Sequence, residues 1–345
     1  MEIMYYIGLD IHKKTIRFCV KLADGSVVRE GELAANRAAL DAWMSTLPRP
    51  WTAAMEATLF TSWVYEHLKP HAHAVKVANP SMLKAIAAGK HKNDRLDASK
   101  IADSLRANLL PECYMAPLEL RELRRVLRYR NLLVSQVTQT KNKVSSLLME
   151  AGIEYNKQKL HQKSYFRQLL KSAEQMPESL PPLLKLSRST LDSFGRMEQQ
   201  LVRGLQKDPA LRARVERLLT IPGVGPITAL TWALETGEAA RFHSIKQAVS
   251  YCGLCSSEVS SGGKQQRMPI SKQRNHHLQR VLVEAAKLAP RYNPELAALH
   301  AREEQRGNRN RATLAVARKL VAYLLAVDRR QEGFRRAVKI QQPAA

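Results

Sequence analysis

Residues 4–33, MYYIGLDIHKKTIRFCVKLADGSVVREGEL, indicate the fold of the first part of the chain. Its first apolar run ends at Asp10, and residues 15–22 alternate between apolar and polar side chains. Asp24-Gly25 then supplies the turn into a third run over 26–33. Alternation with a period of two and a short turn is typical of antiparallel strands. The stretch therefore predicts a three-stranded antiparallel meander.

Helical and extended patterns alternate after this meander. The segments are a helix over 36–47, a strand over 51–57, a helix over 62–68 and a strand over 74–78. Helical spacing returns over 81–110, with a basic interruption at Lys90-His91-Lys92. Such an alternation predicts a mixed α/β domain, which we place at residues 1–112.

Four carboxylates stand where these elements end or begin. Asp10 ends the first strand and Glu56 the fourth. Asp94 and Asp97 follow the basic interruption, and their spacing puts both on one face of a helix. If the first and fourth strands are neighbours, their ends meet that helix, as in a ribonuclease-H-like layout. Mg²⁺ prefers oxygen ligands and activates nucleophiles at phosphorus. Any one of these acids alone is typical of an ordinary surface residue. The predicted catalytic and metal-binding cluster consists of Asp10, Glu56, Asp94 and Asp97.

The charge of the chain favours a nucleic acid as its partner. The 345 residues include 55 Lys and Arg against 31 Asp and Glu, for a formal net charge of +24. A field of this sign attracts polyanions. No long apolar run and no amphipathic anchor points to a membrane. Four cysteines are too few for a disulfide framework, and the N-terminus lacks the features of a signal peptide, so the expected compartment is a reducing cytoplasm.

A seven-residue repeat marks the segment that follows. Over 118–150 apolar residues recur at two heptad positions, which predicts one long helix with a coiled-coil seam. The seam positions are Leu120, Leu127, Val134, Lys141 and Leu148 in one register, and Leu123, Arg130, Val137 and Val144 in the other. After Pro181-Pro182 a second amphipathic pattern continues to Asp208-Pro209. These features predict a coiled-coil arm over 113–209, folded either as a hairpin within the chain or as a paired dimer arm.

Five arginines form a basic stripe on the long helix. They are Arg121, Arg124, Arg125, Arg128 and Arg130. Such a stripe is either an ordinary solvated face or a contact with a phosphate backbone. Because the chain carries so large an excess of positive charge, we favour contact with RNA or DNA.

The segment LLTIPGVGPITAL, residues 218–230, places Gly223 and Gly225 between two helical patterns. This is the signature of a helix-hairpin-helix motif, in which a tight turn exposes backbone N–H groups to a phosphate. Glycine serves ordinary helix connections equally well. The basic context favours backbone contact with nucleic acid, independent of base sequence. The motif belongs to a mostly helical C-terminal domain, which we place at 210–330, before a flexible tail over 331–345.

The sequence Ser261-Gly262-Gly263 predicts an exposed loop. Basic residues nearby suit a scissile phosphate; they are Lys264, Arg267, Lys272 and Arg274. Attack of a serine on DNA gives a phosphoserine that preserves the bond energy for rejoining, but the serine needs activation by a base, a metal or the electrostatics of the site. By composition alone such a sequence is more often a flexible loop. Ser261 is therefore a candidate nucleophile only with further support.

Two other groups are given no chemistry. Cys252 and Cys255 have the spacing of metal ligands, but a zinc site needs about four ligands and no second close cysteine pair is present. Core packing is their expected role. His276 and His277 are expected to be solvated or structural.

Several ordered motifs resemble one family of transposases. They are GLDIHK, the strand that ends at Glu56, KNDRLDA, IPGVGPITA, YCGLCSSEVSSGGK and ISKQRNHHLQRVLVEAA, and they span nearly the whole chain. Together they resemble the insertion-sequence one-ten family, and within it the eleven-eleven branch. The resemblance implies a RuvC-like DEDD domain, a coiled coil and a C-terminal domain with a serine. The chain departs from the family at Arg274-Asn275, where Gly-Asn is common, so the backbone geometry is in question there.

The resemblance also implies residues and partners. The family's four acids fall on Asp10, Glu56, Asp94 and Asp97, and its serine falls on Ser261, with Ser260 as the competing register. The expected activity is excision and insertion of a bacterial insertion sequence by strand cleavage and rejoining, with Mg²⁺ as cofactor. Donor and target DNA would be chosen by pairing with an element-encoded guide RNA, as in other guided systems. A homodimer is expected, with a tetramer at synapsis and association with the nucleoid during activity.

Two other functions stay open on the residues alone. A metal-dependent junction-resolving nuclease would use the same acids to activate water, with Ser261 as an ordinary loop residue and products free of attached protein. A non-enzymatic nucleic-acid scaffold would bind DNA or RNA without cutting either.

Overall fold

The computed structural model describes residues 3–86, 94–171, 176–261, 264–270 and 273–335, and it describes their side chains except those of 85–86, 94–96, 257–261 and 264–269. The chain divides into two compact units, Met1–Met115 and Ala116–Ala345. None of the helices within the described ranges is both long enough and apolar enough to cross a membrane.

The first unit is built on a five-stranded sheet. Its strands are β1 (Tyr5–Ile11), β2 (Thr15–Lys21), β3 (Val27–Ala34), β4 (Trp51–Glu56) and β5 (Ala74–Ala78). Their order is β3-β2-β1-β4-β5. The first three strands pair antiparallel, whereas β4 pairs parallel with both β1 and β5. The predicted meander and the predicted neighbourhood of the first and fourth strands are both confirmed.

Helices cover both faces of this sheet. They are α1 (Arg37–Met44), α2 (Thr61–Leu68), α3 (Pro80–Ile86) and α4 (Asp94–Arg106). Asn36 caps α1 by accepting a hydrogen bond from a backbone N–H in the first turn. Apolar side chains of α1 and α2 pack with Ile7 and Leu9 on one face of the sheet. Those of α3 and α4 pack with Ala54 and Ala78 on the other face. The result has three layers, and it confirms the mixed α/β domain that the alternating pattern predicts.

The second unit is helical apart from one two-stranded ribbon. Its helices are α5 (Leu118–Glu150), α6 (Lys163–Lys171), α7 (Leu180–Lys207), α8 (Pro209–Leu219), α9 (Pro226–Thr236), α10 (Ile245–Tyr251), α11 (His276–Leu288), α12 (Pro294–Gln305) and α13 (Arg309–Arg330), and its strands are β6 (Ser256–Ser261) and β7 (Lys264–Ile270). The long helix has the bounds that the heptad repeat predicts.

The predicted arm is folded as a hairpin within the chain. Helices α5 and α7 pack along each other, and α6, which the sequence did not predict, lies between them in the chain. The second amphipathic pattern forms α7, and Pro181 and Pro182 lie in its first turn rather than before it. Proline is tolerated there, since the first N–H groups of a helix have no acceptor within it.

The base of this arm shares its core with the C-terminal helices. Leu127 of α5 and Leu205 of α7 are buried in the same cluster as Trp232 of α9 and Leu320 of α13. Fully buried side chains of this size contribute about 1.5–3 kcal/mol each. The segments predicted as an arm and as a C-terminal domain therefore form one compact unit.

The beginning of the predicted flexible tail is packed. Gln331 adopts a left-handed conformation that ends α13. The ring of Phe334 then lies 4.8 Å from that of Tyr323, centroid to centroid, and its N–H donates to Thr220 Oγ1 at 2.7 Å. The prediction of a flexible tail is thus wrong for 331–335, because one aromatic ring finds a surface already formed by other helices. Residues 336–345 lie outside the described residues.

Candidate active site

Asp10 and Glu56 lie at the same end of two neighbouring parallel strands. Leu9 of β1 is in register with Met55 of β4. Asp10 and Glu56, the next residues of these two strands, therefore lie beside each other. Leu9 and Met55 are buried against α1 and α2. Because side chains alternate along a strand, Asp10 and Glu56 both lie on the opposite face, which α4 covers. The side chain of Asp10 is only 15% exposed.

Helix α4 lies directly on the backbone of β1. A Cβ atom added to Gly8 would lie 2.0 Å from the carbonyl oxygen of Ala98 and 2.5 Å from the amide nitrogen of Ala102. No side chain fits between strand and helix at this point. Gly8 and Asp10 share one face of β1, since they are two residues apart.

The direction of α4 follows from a contact at its other end. Lys21, which pairs with Tyr6 near the start of β1, donates from Nζ to Asp103 Oδ2 at 2.6 Å. Residue numbers along α4 therefore rise as those along β1 fall. The first turn of α4 consequently reaches the end of β1 where Asp10 lies.

Asp97 belongs to the face of α4 that packs on the sheet. It precedes Ile101 by one turn and Leu105 by two, and both of those side chains are buried against the sheet. Asp97 is partly exposed and makes no hydrogen bond or ion pair with the described residues. Asp94 begins α4 one turn earlier, and its side chain lies outside the described residues. Asp10, Glu56 and Asp97 are thus brought to one end of the sheet.

These oxygen donors fit a divalent cation such as Mg²⁺, which coordinates carboxylates. Among the described side chains, however, no three His, Cys, Asp or Glu lie close enough together to hold a metal ion. The side chain of Asp94 is not among those described. The backbone brings the acids to one edge, and the described side chains do not converge to ligand distances there.

His12 is a neighbour of the acids that the sequence analysis missed. Its Nε2 lies 3.1 Å from Asp10 Oδ2, within hydrogen-bond distance. It follows Asp10 by two residues, and that spacing was the available signal. Hydrogen bonds of this kind orient a carboxylate that binds a metal.

The predicted Ser-Gly-Gly loop is the connection of a β-hairpin. β6 and β7 pair antiparallel, with Ser261 opposite Lys264, so only two residues join the strands. Glycine pairs favour such short connections, because they adopt the positive φ that these turns need. The side chains of Ser261, Lys264 and Arg267, and the whole of Lys272, lie outside the described residues. Their predicted grouping around a phosphate stays a prediction.

The two chain segments at the base of this ribbon are held together. The N–H of Asn275 donates to the carbonyl oxygen of Tyr251 at 3.1 Å, and Gln279 Nε2 donates to that of Gly253 at 2.6 Å. A Cβ atom added to Gly253 would lie 2.4 Å from the Cβ of Arg274. Arg274 itself has no positive φ, so arginine at a position where the family often has glycine meets no backbone strain.

The two glycines between α8 and α9 differ in their surroundings. Gly223 has a φ of +90°, and an added Cβ would lie 2.6 Å from that of Ala289, so packing and backbone conformation both require glycine. Gly225 precedes α9 with no side-chain cap and has open space at its Cβ position. It lines a cleft of about 430 Å³ together with Arg280 and His276 of α11. Gly223 lines the same cleft, but only Gly225 has open space where a side chain would lie.

Two arginines of the predicted basic stripe belong to an internal ion cluster. Arg128 donates from Nε and Nη2 to the two carboxylate oxygens of Glu235, each at 2.9 Å. Arg124 Nε donates to the carbonyl oxygen of Leu234 at 2.8 Å and lies 3.9 Å from Glu235 Oε2. The guanidinium groups of these two residues bind within the protein, and the contact of the stripe with nucleic acid stays a prediction.

Glu235 is the buried acid of this cluster, with a side chain that is 1% exposed. Asn275 Nδ2 also donates to its Oε2, at 2.9 Å. Burial opposes ionisation, but the hydrogen bonds from Arg128 and Asn275 and the charge of Arg124 outweigh it and hold the pKa of Glu235 below its usual range. Glu235 was not among the predicted site residues, although a single acid inside the apolar pattern of this helix was a signal.

We expect the stabilising effect of Glu235 to depend on pH. Since its folded pKa is lowered, the ionised carboxylate stabilises the fold above the usual glutamate pKa, and this effect is lost as the pH falls through the lowered value. Glu235→Gln removes the negative charge that pairs with Arg128, at a cost of about 3–5 kcal/mol. In thermal unfolding, the Tm deficit of the variant should be largest at neutral pH and should narrow in acid. A deficit that stays constant would contradict the expectation.

Cys252 has the packing role that the sequence predicts. It is fully buried in the core of the second unit, and burial raises the pKa of its thiol to about 12. A protonated thiol is a poor metal ligand. Cys255 is partly buried against the same core.

Comparison with known proteins agrees with this arrangement. A model for DEDD transposases of IS110 elements, described as Transposase, matches residues 7–153, and one described as Transposase IS116/IS110/IS902 family matches residues 215–301. The first match contains the acids and the second contains the ribbon. Together they cover about two thirds of the chain.

Individual relatives carry the same kind of name. The transposase for insertion sequence element IS1328 of Yersinia enterocolitica is 26% identical over 82% of this chain and 83% of that protein. A probable family 20 transposase of Pseudomonas aeruginosa is 27% identical over 83% of this chain and 84% of its own length. The transposase for insertion sequence element IS1111A of Coxiella burnetii is 28% identical over 71% of this chain and 69% of that protein. From the two matching family models and these relatives, we conclude that the chain belongs to the IS110/IS116/IS902 family of transposases, enzymes that catalyse DNA recombination.

Proposed function

We propose that the first unit is a RuvC-like, ribonuclease-H-like domain that cuts DNA at a Mg²⁺ site. Its ligands would be Asp10, Glu56, Asp94 and Asp97. The observation that supports this most is the meeting of strand ends and helix start: β1 and β4 end side by side, and α4 runs antiparallel over them. When bound, Mg²⁺ would polarise the scissile phosphate and stabilise the charge that develops there.

Ser261 would supply the nucleophile. Its Oγ attacks the scissile phosphorus and loses its proton, the bond from phosphorus to the leaving oxygen breaks, and that oxygen leaves as the hydroxyl end of a strand. The hydroxyl of a second strand then attacks the phosphoserine, joins the strands and releases the serine. Ser261 ends β6 directly before the two-residue connection, which puts it at the tip of the ribbon. Ser260, one residue earlier in the strand, is the competing position.

Contacts with the phosphate backbone of the nucleic acid would hold it without selecting its base sequence. The contributing residues would be Gly223, Gly225, Lys264, Arg267, Lys272 and Arg274. The open N-terminus of α9, at the edge of a cleft with arginine on its wall, supports a helix-hairpin-helix role for α8 and α9. Sequence choice would come from an element-encoded guide RNA that pairs with donor and target DNA. The protein would act as a dimer that becomes a tetramer at synapsis.

The test is a search for protein-linked DNA. Purified protein is incubated with the element-derived RNA, Mg²⁺ and end-labelled donor and target DNA, and the products are separated on a denaturing gel. Wild type should form a covalent adduct, and Ser261→Ala and Asp10→Ala should form none. Ser260→Ala should retain it, since that hydroxyl is not the nucleophile.

Other outcomes identify other functions. DNA cut without an adduct, together with full activity of Ser261→Ala, would replace the proposal by a junction-resolving nuclease that activates water. Loss of the adduct in Ser260→Ala alone would move the nucleophile by one residue. Adduct formation in the absence of the RNA would remove the guide from the proposal.

A further inference from the structure

Glu235 joins both chain segments that lead to the ribbon. Its carboxylate accepts a hydrogen bond from Asn275, which follows β7, at 2.9 Å. Its backbone carbonyl accepts one from the hydroxyl of Tyr251, which precedes β6, also at 2.9 Å. Asn275 and Tyr251 are in turn joined by their own backbone hydrogen bond. The base of the ribbon is therefore closed around one buried acid.

Asn275 has a bond for each of its polar groups. Its Oδ1 caps α11 by accepting from the N–H groups of His277 and Leu278, at 3.1 and 3.2 Å. Its Nδ2 is the group bound to Glu235. Shifting Asn275 would therefore leave the N–H groups of the cap, or its own amide group, without a partner, which costs about 1–3 kcal/mol.

The cluster also attaches the ribbon to the arm. Arg128, on α5, occupies both oxygens of Glu235 in a two-pronged contact, a geometry that fixes direction as well as distance. A buried ion pair stabilises a fold no better than well-packed apolar side chains do. The cluster therefore matters less for stability than for geometry, because it fixes the base of the ribbon relative to α5.

We propose that Glu235 is a positioning residue for strand cleavage: through Asn275 and Tyr251 it fixes the base of the β6–β7 ribbon, and so the place of Ser261 relative to α5. This inference rests on the proposed role of Ser261. Misplacing a reacting group by about 1 Å costs about a hundredfold in rate. Loosening the base should therefore slow the attack without weakening the binding of DNA.

Asn275→Ser tests the link with little disturbance of the helix. Serine caps a helix about as well as asparagine but carries no amide to donate to Glu235. Asn308→Ser is the matched control, because Asn308 caps α13 in the same way, with Oδ1 accepting from Arg311 N–H at 3.0 Å. Should Asn275→Ser fail to fold, Tyr251→Phe removes the other hydrogen bond to Glu235 and keeps the ring.

The rate of adduct formation is measured against DNA concentration in the presence of RNA and Mg²⁺, and folding is checked by Tm. We expect Asn275→Ser to lower the maximal rate by about tenfold to a hundredfold with an unchanged KM, and Asn308→Ser to change neither. A folded Asn275→Ser or Tyr251→Phe protein with the wild-type maximal rate would overturn the inference, as would a change confined to KM.

Ser261→Ala in the same series separates this inference from the proposed function. If Ser261→Ala abolishes the adduct while Asn275→Ser reacts normally, only the positioning role fails. If Ser261→Ala still forms the adduct, the proposed nucleophile fails, and the positioning role fails with it.

Discussion

Asp97→Asn should abolish Mg²⁺-dependent strand cleavage and leave the protein as stable as the wild type. Asparagine has nearly the shape of aspartate but lacks the charge that a metal ligand supplies. Losing about 4 kcal/mol of transition-state stabilisation corresponds to about a thousandfold in rate. Stability should not fall, because Asp97 has no ion pair or hydrogen bond with the described residues. Single-turnover cleavage and thermal unfolding of the same preparation measure both effects.

Asp103→Asn is the control, since it makes the same substitution further along the same helix. Asp103 accepts hydrogen bonds from the buried Lys21 and from Arg106, so its charge is used within the fold. This variant should lose stability and retain its dependence on Mg²⁺. If Asp97→Asn cleaves at the wild-type rate, or if both variants lose only stability, Asp97 is not a ligand.

Gly8→Ala should destabilise the first unit by about 3 kcal/mol or more and should abolish cleavage. Overpacking a core costs about 1–3 kcal/mol, and more where nothing can yield. Here the new methyl group would meet backbone atoms of Ala98 and Ala102, at 2.0 and 2.5 Å, which no change of side-chain rotamer relieves. The helix must move away from β1, and Asp97 moves with it. Urea unfolding gives the free energy of unfolding.

Gly204→Ala is the control for the substitution itself. Gly204 lies inside α7 with nothing within 4 Å of its Cβ position, so alanine should stabilise the helix by about 0.5–1 kcal/mol. Cleavage by this variant should be unchanged. A Gly8→Ala protein as stable as the wild type would show that α4 can move away from β1 without lowering the free energy of unfolding, contrary to the packing described above.

The parts of the fold that were predicted from the sequence depend on local patterns. The meander follows from alternation and from Asp24-Gly25, and α5 follows from its heptads. The ribbon was missed because its first strand is mostly polar and is stabilised by pairing with β7 rather than by an apolar face. Residues 331–335 were expected to be flexible because part of their docking surface, at Thr220, is distant in sequence.

The candidate site also has parts that were predicted from the sequence and parts that were not. Asp10, Glu56 and Asp97 were predicted because strand ends and helix faces can be read from spacing. The contact of Gly8 with α4 and the cluster around Glu235 were not, since their partners are distant in sequence: Arg128 lies 107 residues before Glu235. The apolar pattern around Glu235 was a signal that this acid is buried, but the pattern does not identify its partners.

The division of the chain at Met115 has a consequence for how such elements evolve. All four acids precede it, and the ribbon with its buried Glu235 and Arg128 follows it. A crossover between related insertion sequences near this codon would exchange one whole set of acids for another and separate no pair of residues that pack together within a unit. The two halves of the gene can then diverge at different rates and recombine as cassettes. Gene trees built separately for each half should show such exchanges as conflicting branches.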